Sequence, residues 1–233
     1  MNVYKTVRYI AAHIKVLALV ILAGIVWSSC KKDGDITIVV PKAGLNTINA
    51  STNTINVFQN GTRLNSLGSI GTGGKSGYFS VSAGMQTYQI KKADAAIPEY
   101  LISDLSFALD SGKSYSLFVA GETADKVFKI NDTSFDPVDG KAMVRFINTL
   151  PGTTNLDVTI GSLSFTNTAF AGPSSFTNIN SGDNSLKISQ AGSAAPVIDQ
   201  TITLTAGTFY TIFTTGTLAG TGQDKLTARM VIN

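Results

Sequence analysis

Hydrophobic and polar positions follow each other in short runs along the chain, without a sustained helical period. Runs rich in β-branched and aromatic residues are separated by clusters of Gly, Asn, Ser, Asp and Pro, a pattern that predicts strands and turns. Beyond the N-terminal segment, no window repeats apolar residues with a helical period. The predicted strands are ITIVV, TINVF, GYFSV, TYQIK, SYSLFVA and KVFKI, followed by AMVRFIN, NLDVTI, SLKIS, VIDQTITL, FYTIFTT and LTARMVI.

One phrase of the sequence occurs twice. LDSGKSYSLFVAG ends at Gly121 and LTAGTFYTIFTTG ends at Gly216, and the stretch from Tyr78 aligns with the stretch from Phe176. The chain therefore repeats after about 95 residues, which is the length of a small domain and too long for a solenoid unit. The sequence predicts an all-β chain of two tandem antiparallel β-sandwich domains of immunoglobulin-like size, after an N-terminal signal peptide.

The alternation within the second phrase also predicts which side chains share a face. Tyr210 and Ile212 are expected on one face of the strand, with Phe209 and Phe213 on the other. Each copy needs this hairpin to close its own core, so we expect packing to be its role. A paired ligand site formed by both hairpins is the alternative.

The N-terminal segment is typical of a bacterial lipoprotein signal peptide. Basic residues precede the apolar run VLALVILAGIVW, which is shorter than the roughly 20 residues needed to span a bilayer. Cys30 follows it in WSSC and is the only cysteine, so it has no partner for an internal disulfide. WSSC resembles a lipobox, which implies lipidation of Cys30. CKKDGD resembles the start of Bacteroidota-type lipoproteins, many of which reach the outer membrane or the cell surface.

These signals divide the chain into five parts. We expect a signal peptide at 1–29, a short tether at 30–35, a first sandwich at 36–131, a linker at 132–140 and a second sandwich at 141–233.

The predicted linker is rich in aspartate. Asp132, Asp136 and Asp139 lie in INDTSFDPVDGK together with a proline and a glycine, a composition typical of a linker. Three aspartates also leave open a weak calcium site that bridges the domains. The ligand spacing of an EF-hand is absent.

Charge and residue types restrict the chemistry further. Three of the 18 Lys and Arg residues and none of the 15 Asp and Glu residues precede Cys30, so an exported chain is nearly neutral and we expect no nucleic-acid binding. The single histidine, His13, lies in the predicted signal peptide, which excludes a Ser-His-Asp triad and a histidine-ligated zinc site. The glutamates Glu99 and Glu122 do not suggest a carboxylate pair. We expect no catalytic residue, no cofactor and no enzyme activity.

Exposed aromatic rings are the remaining candidates for a binding surface. Sheets that bind glycans often present flat rings flanked by hydrogen-bonding groups. Tyr78, Phe118 and Phe213 are the candidate ligand-facing aromatics, and core packing is the alternative for each.

The second copy resembles a bacterial family known as domain of unknown function 4397. The match is carried by MVRFIN from Met143, by Asp157-Val158, by Gly182 and by the phrase that ends at Gly216. The first copy matches less well and lacks an evident arginine strand. The resemblance implies a β-sandwich and attachment to the cell envelope, with no established catalytic residues and no named ligand.

Together these features predict a non-enzymatic, lipid-anchored protein of the outer membrane that acts as a binding, adhesion or structural module. Its expected partners are the membrane, through the lipid on Cys30, and envelope proteins or glycans. One alternative is a glycan-binding accessory lipoprotein of a polysaccharide uptake system. A hydrolase that uses Asp or Glu is a second alternative.

Overall fold

Strands account for nearly all of the regular structure. The computed structural model describes residues 39–93, 95, 97, 99–132, 136, 138–152, 155–172 and 175–233. The first copy contributes β1 (Lys42–Asn49), β2 (Ile55–Gln59), β3 (Thr62–Arg63), β4 (Lys75–Ser82), β5 (Gly84–Lys92), β6 (Tyr100–Leu109), β7 (Ser114–Val119) and β8 (Val127–Asn131). The second copy contributes β9 (Lys141–Ile147), β10 (Leu156–Ile160), β11 (Leu163–Thr168), β12 (Thr177–Asn180), β13 (Gly182–Gln190), β14 (Ile198–Leu204), β15 (Phe209–Thr215) and β16 (Thr227–Ile232). Single turns of 3-10 helix lie at Ala124–Lys126 and Gly222–Asp224.

The two copies have the same sheet topology. In the first copy, sheet A has the order β4-β1-β7-β8 and sheet B has the order β3-β2-β5-β6. In the second copy, sheet C has the order β12-β9-β15-β16 and sheet D has the order β11-β10-β13-β14. The pairs β1 with β7 and β9 with β15 are parallel, and the other strand pairs of these sheets are antiparallel. The predicted all-β class with two tandem sandwiches is confirmed.

Each sandwich has an apolar core between its two sheets. Leu45 and Leu117 of sheet A pack with Ile90 of sheet B in the first copy. Val144 and Ile212 occupy the equivalent core of the second copy. Because successive side chains of a strand point to opposite faces, alternate residues of β1, β7, β9 and β15 are left to form the outer faces of sheets A and C.

The repeated phrase forms the same turn and the same tyrosine–backbone hydrogen bond in each copy. The phenol oxygen of Tyr210 accepts a hydrogen bond from the backbone N–H of Thr205 at 3.1 Å, and that of Tyr115 accepts one from the N–H of Asp110 at 3.3 Å. Gly207 forms the tight turn with φ +75°, a conformation that glycine adopts without strain. A tyrosine whose hydroxyl binds backbone a few residues upstream is a feature of immunoglobulin-like sandwiches. The phrase therefore occurs twice because it forms the same structural feature in both sandwiches.

A third apolar cluster joins the two copies through the outer faces of sheets A and C. Its buried members are Ile48, Ala50, Phe118 and Ala120 from the first copy and Ile147, Phe213 and Val231 from the second. Phe128 of β8 stacks edge to face on Phe170 with ring centroids 5.4 Å apart. Residues 40–233 accordingly form one compact unit.

The end of the predicted strand ITIVV is not a strand in the structure. Val39 and Val40, the end of the run ITIVV, are exposed and lie outside any strand, and β1 begins at Lys42. The predicted signal peptide, Cys30 and the tether lie outside the described residues. Within the part of the chain that the structure describes, no helix is long and apolar enough to cross a membrane.

Candidate functional site

A buried ion pair lies between the copies. A guanidinium nitrogen of Arg145, on β9, lies 2.5 Å from a carboxylate oxygen of Asp132, the residue that follows β8. The side chain of Arg145 is 1% exposed and that of Asp132 is 7% exposed. Arg145 also donates to the hydroxyl of Thr211 at 2.8 Å and stacks over the ring of Phe176. Its charge is therefore fully enclosed by the interface.

The other oxygen of Asp132 binds two hydroxyl groups of the first copy. Tyr78 donates to it at 2.7 Å and Ser116 donates at 2.8 Å. Burial, together with the charge and the hydrogen bond of Asp132, raises the pKa of Tyr78 to about 12. The phenol therefore stays protonated and acts as a hydrogen-bond donor throughout the physiological range.

Asn46 occupies in β1 the position that Arg145 occupies in β9. KAGLNTIN of β1 aligns with KAMVRFIN of the second copy. Asn46 pairs with Tyr78 and Ser116, whereas Arg145 pairs with Thr211 and lies over the ring of Phe176. Asn46 is fully buried, and its side-chain amide has no hydrogen-bond partner among the described residues. The position that carries the ion-paired Arg145 in the second copy therefore carries an unsatisfied amide in the first.

A pocket of about 220 Å³ opens at the end of the interface. It is lined by residues 50–53, 120–122 and 126 of the first copy and by residues 149–151 and 216–217 of the second. These segments follow β1, β7, β9 and β15, and residues 50–53 and 149–151 hold equivalent places in their copies. The closing glycines of the repeated phrase, Gly121 and Gly216, both contribute to the lining.

Hydrogen bonds hold the walls of this pocket in place. The buried amide of Asn49 donates to the backbone carbonyl of Asn53 at 2.6 Å, and its oxygen accepts from the hydroxyl of Ser51 at 2.7 Å. In the second copy the equivalent Asn148 accepts from the N–H of Leu150 at 3.0 Å. Both copies thus use a buried asparagine to fix the loop that follows their first strand.

The structure does not support Phe118 and Phe213 as ligand-facing residues. Both are fully buried in the cluster between the copies, because the outer face that alternation assigns to them is covered by the other copy. Tyr78 is 43% exposed, but its hydroxyl is bound to Asp132. The structure therefore does not bring the three rings together as an open platform.

The calcium alternative is not supported by the geometry. The carboxylate of Asp132 is occupied by Arg145, Tyr78 and Ser116. Over the described ranges, which include Asp136 and Asp139, no three acidic, histidine or cysteine residues come together in a way that could hold a metal ion.

The tandem sandwich defines the class of protein, a two-domain all-β chain with a shared interface. The model of the family described as "Domain of unknown function (DUF4397)" matches residues 43–159 and 142–231. These matches cover well over half of the chain, so the chain belongs to this family, as its sequence predicts. Comparison with curated proteins finds no match.

Proposed function

We propose that the protein is a non-enzymatic, lipid-anchored module of the cell envelope, which binds a ligand at the pocket between its copies. The observation that carries the binding role is the joint origin of the pocket, since both copies contribute loops to it. A site assembled in this way requires that one copy keeps a fixed position relative to the other. The buried ion pair and the shared apolar cluster hold the copies in that position.

The position of the pocket along the strands agrees with attachment through the N-terminus. The chain enters the first sandwich at Lys42, and the pocket lies beyond Asn49 at the other end of β1. Eight residues of strand separate the two ends by about 23 Å. The chain therefore joins the first sandwich at the end of β1 that lies away from the pocket, so an N-terminal tether does not start at the pocket. The stretch CKKDGD supports an outer-membrane lipoprotein of the Bacteroidota type.

Membrane attachment is tested by replacing the residue that carries the lipid. The full chain and its Cys30→Ser variant are produced in a bacterium that makes lipoproteins, with a radiolabelled fatty acid in the medium. The proposal expects label and membrane association in the parent chain and neither in the variant. A control Ser29→Ala variant keeps a small residue before the cysteine and should stay lipidated. Membrane association of Cys30→Ser equal to that of the parent would refute the anchor.

A further inference from the structure

We propose that the pocket between the copies binds one ring of a neutral saccharide. The inference rests on the proposed binding function and adds the class of ligand. The size of the pocket is the first reason. At about 220 Å³ it is smaller than the roughly 300–1,000 Å³ of sites for drug-sized ligands, so it suits a single small ring.

The charges of the pocket are the second reason. Glu122 and Lys126 both line it, and within the described residues no ion pair includes either of them. One carboxylate oxygen of Glu122 accepts from the amide of Asn53 at 2.9 Å, which leaves the other as an acceptor. A charged ligand would be attracted by one group and repelled by the other. A neutral ligand with both donors and acceptors can satisfy the two together.

The other residues that line the pocket offer both polar and apolar contacts, which are the two kinds of contact that a sugar ring makes. Thr52 and Thr217 are exposed and offer hydroxyl groups, which both donate and accept. Leu150 and Ala120 are buried and, with Pro151, supply apolar surface. A pyranose presents hydroxyl groups around its rim and C–H groups on its faces. The rim matches the polar side chains and a face matches the apolar ones.

A glycine positions the lysine of this site. A Cβ atom at Gly121 would lie 2.4 Å from Cδ of Lys126, so the lysine stem runs directly over the glycine backbone. Alanine at this position would push the flexible stem aside and move the ammonium group. Gly121 is the last residue of the repeated phrase, and its absence of a side chain thereby serves the pocket.

The experiment uses the full-length lipidated protein in detergent on an array of neutral hexose, N-acetylhexosamine and uronic-acid oligosaccharides. We expect retention on neutral glycans, followed by calorimetric titration with the best of them. Glu122→Gln should weaken binding about tenfold, since glutamine keeps an acceptor for Asn53 but loses the free carboxylate oxygen. Gly121→Ala should weaken it several-fold with an unchanged unfolding transition. The matched control is Asp199→Asn, which neutralises an exposed carboxylate paired with Lys187 outside the pocket, and it should bind like the parent.

Three results would overturn the proposal: no retention on any neutral glycan, retention on uronic-acid glycans alone, or an affinity that Glu122→Gln leaves unchanged. The fatty-acid labelling of the Cys30→Ser variant tests the membrane anchor separately. A lipidated protein that binds no neutral glycan would therefore refute the saccharide proposal without affecting the proposal of a lipid-anchored module.

Discussion

Phe118 and Phe213 occupy the same place in their two copies and meet edge to face across the interface, with ring centroids 6.1 Å apart. Contact between equivalent positions is the mark of a two-fold relation, here within one chain. Both rings are fully buried, and an edge-to-face arrangement is favourable for aromatic pairs. The two copies therefore resemble the halves of a symmetric dimer that has been fused.

Replacing one of these rings should weaken the whole unit. Phe213→Ala is expected to lower the free energy of unfolding by about 3–5 kcal/mol, because it removes a fully buried ring and leaves a cavity. Urea titration followed by circular dichroism measures the change. The control Met85→Ala shortens a side chain that is 69% exposed and should change the free energy by less than about 0.5 kcal/mol. Equal effects of the two substitutions would contradict the burial of Phe213.

The ion pair gives a second prediction. Asp132→Asn should lower the free energy of unfolding by about 3–5 kcal/mol, because the buried guanidinium of Arg145 would keep its charge without a counter-charge. Asp136→Asn, an exposed aspartate of the same segment, is the control and should be nearly neutral. The double variant Asp132→Leu, Arg145→Met should be more stable than Asp132→Asn. A double variant less stable than Asp132→Asn would contradict the uncompensated charge of Arg145 as the cause of the loss.

Asn46, the equivalent of Arg145 in the first copy, offers a stabilising change. Asn46→Leu should raise the free energy of unfolding by about 1–3 kcal/mol, since it replaces a buried and unsatisfied amide by an apolar group of similar size. Thermal unfolding measures the shift. Asn49→Leu is the matched comparison, because the amide of Asn49 is fully hydrogen-bonded, and it should destabilise instead. Loss of stability in Asn46→Leu would show that its amide is satisfied.

The raised pKa of Tyr78 predicts that the free energy of unfolding changes at alkaline pH. Its pKa is about 12 in the folded protein and 10.0 in its ordinary state, so the folded chain holds the phenol proton more tightly. The stabilisation is complete below pH 10 and declines as the pH rises towards 12, because ionisation would place a charge in a partly buried site and beside the negative charge of Asp132. The measurement is the difference in unfolding free energy between the parent and Tyr78→Phe across this range. A difference that does not change with pH would contradict the environment assigned to Tyr78.

Three strand sequences carry a signal for the interface between the copies. SYSLFVA, AMVRFIN and FYTIFTT carry apolar residues at successive positions, whereas half-exposed strands alternate. Continuous apolar runs are typical of strands that are covered on both faces. β7, β9 and β15 are covered in this way, by the core of their own copy and by the other copy. Alternation placed Phe213 correctly on the face opposite Ile212, but it could not show what lies against that face.

Other features could not be predicted from local pattern. KAGLNTIN is not among the predicted strands, yet it forms β1, and Asn46 and Asn49 are fully buried in it. Its place is determined by parallel pairing with β7, some 70 residues later in the chain. The pocket likewise joins four loops that are far apart in sequence. Such sites depend on the tertiary arrangement of the copies, which one sequence does not reveal.

The central claim is that the two copies unfold as one body, because they share a buried ion pair and an apolar cluster. Differential scanning calorimetry of the purified protein tests it most directly. The account predicts a single transition whose calorimetric enthalpy equals its van't Hoff enthalpy, for an unfolding unit that contains both sandwiches. Two transitions, each with the enthalpy of one sandwich, would contradict it.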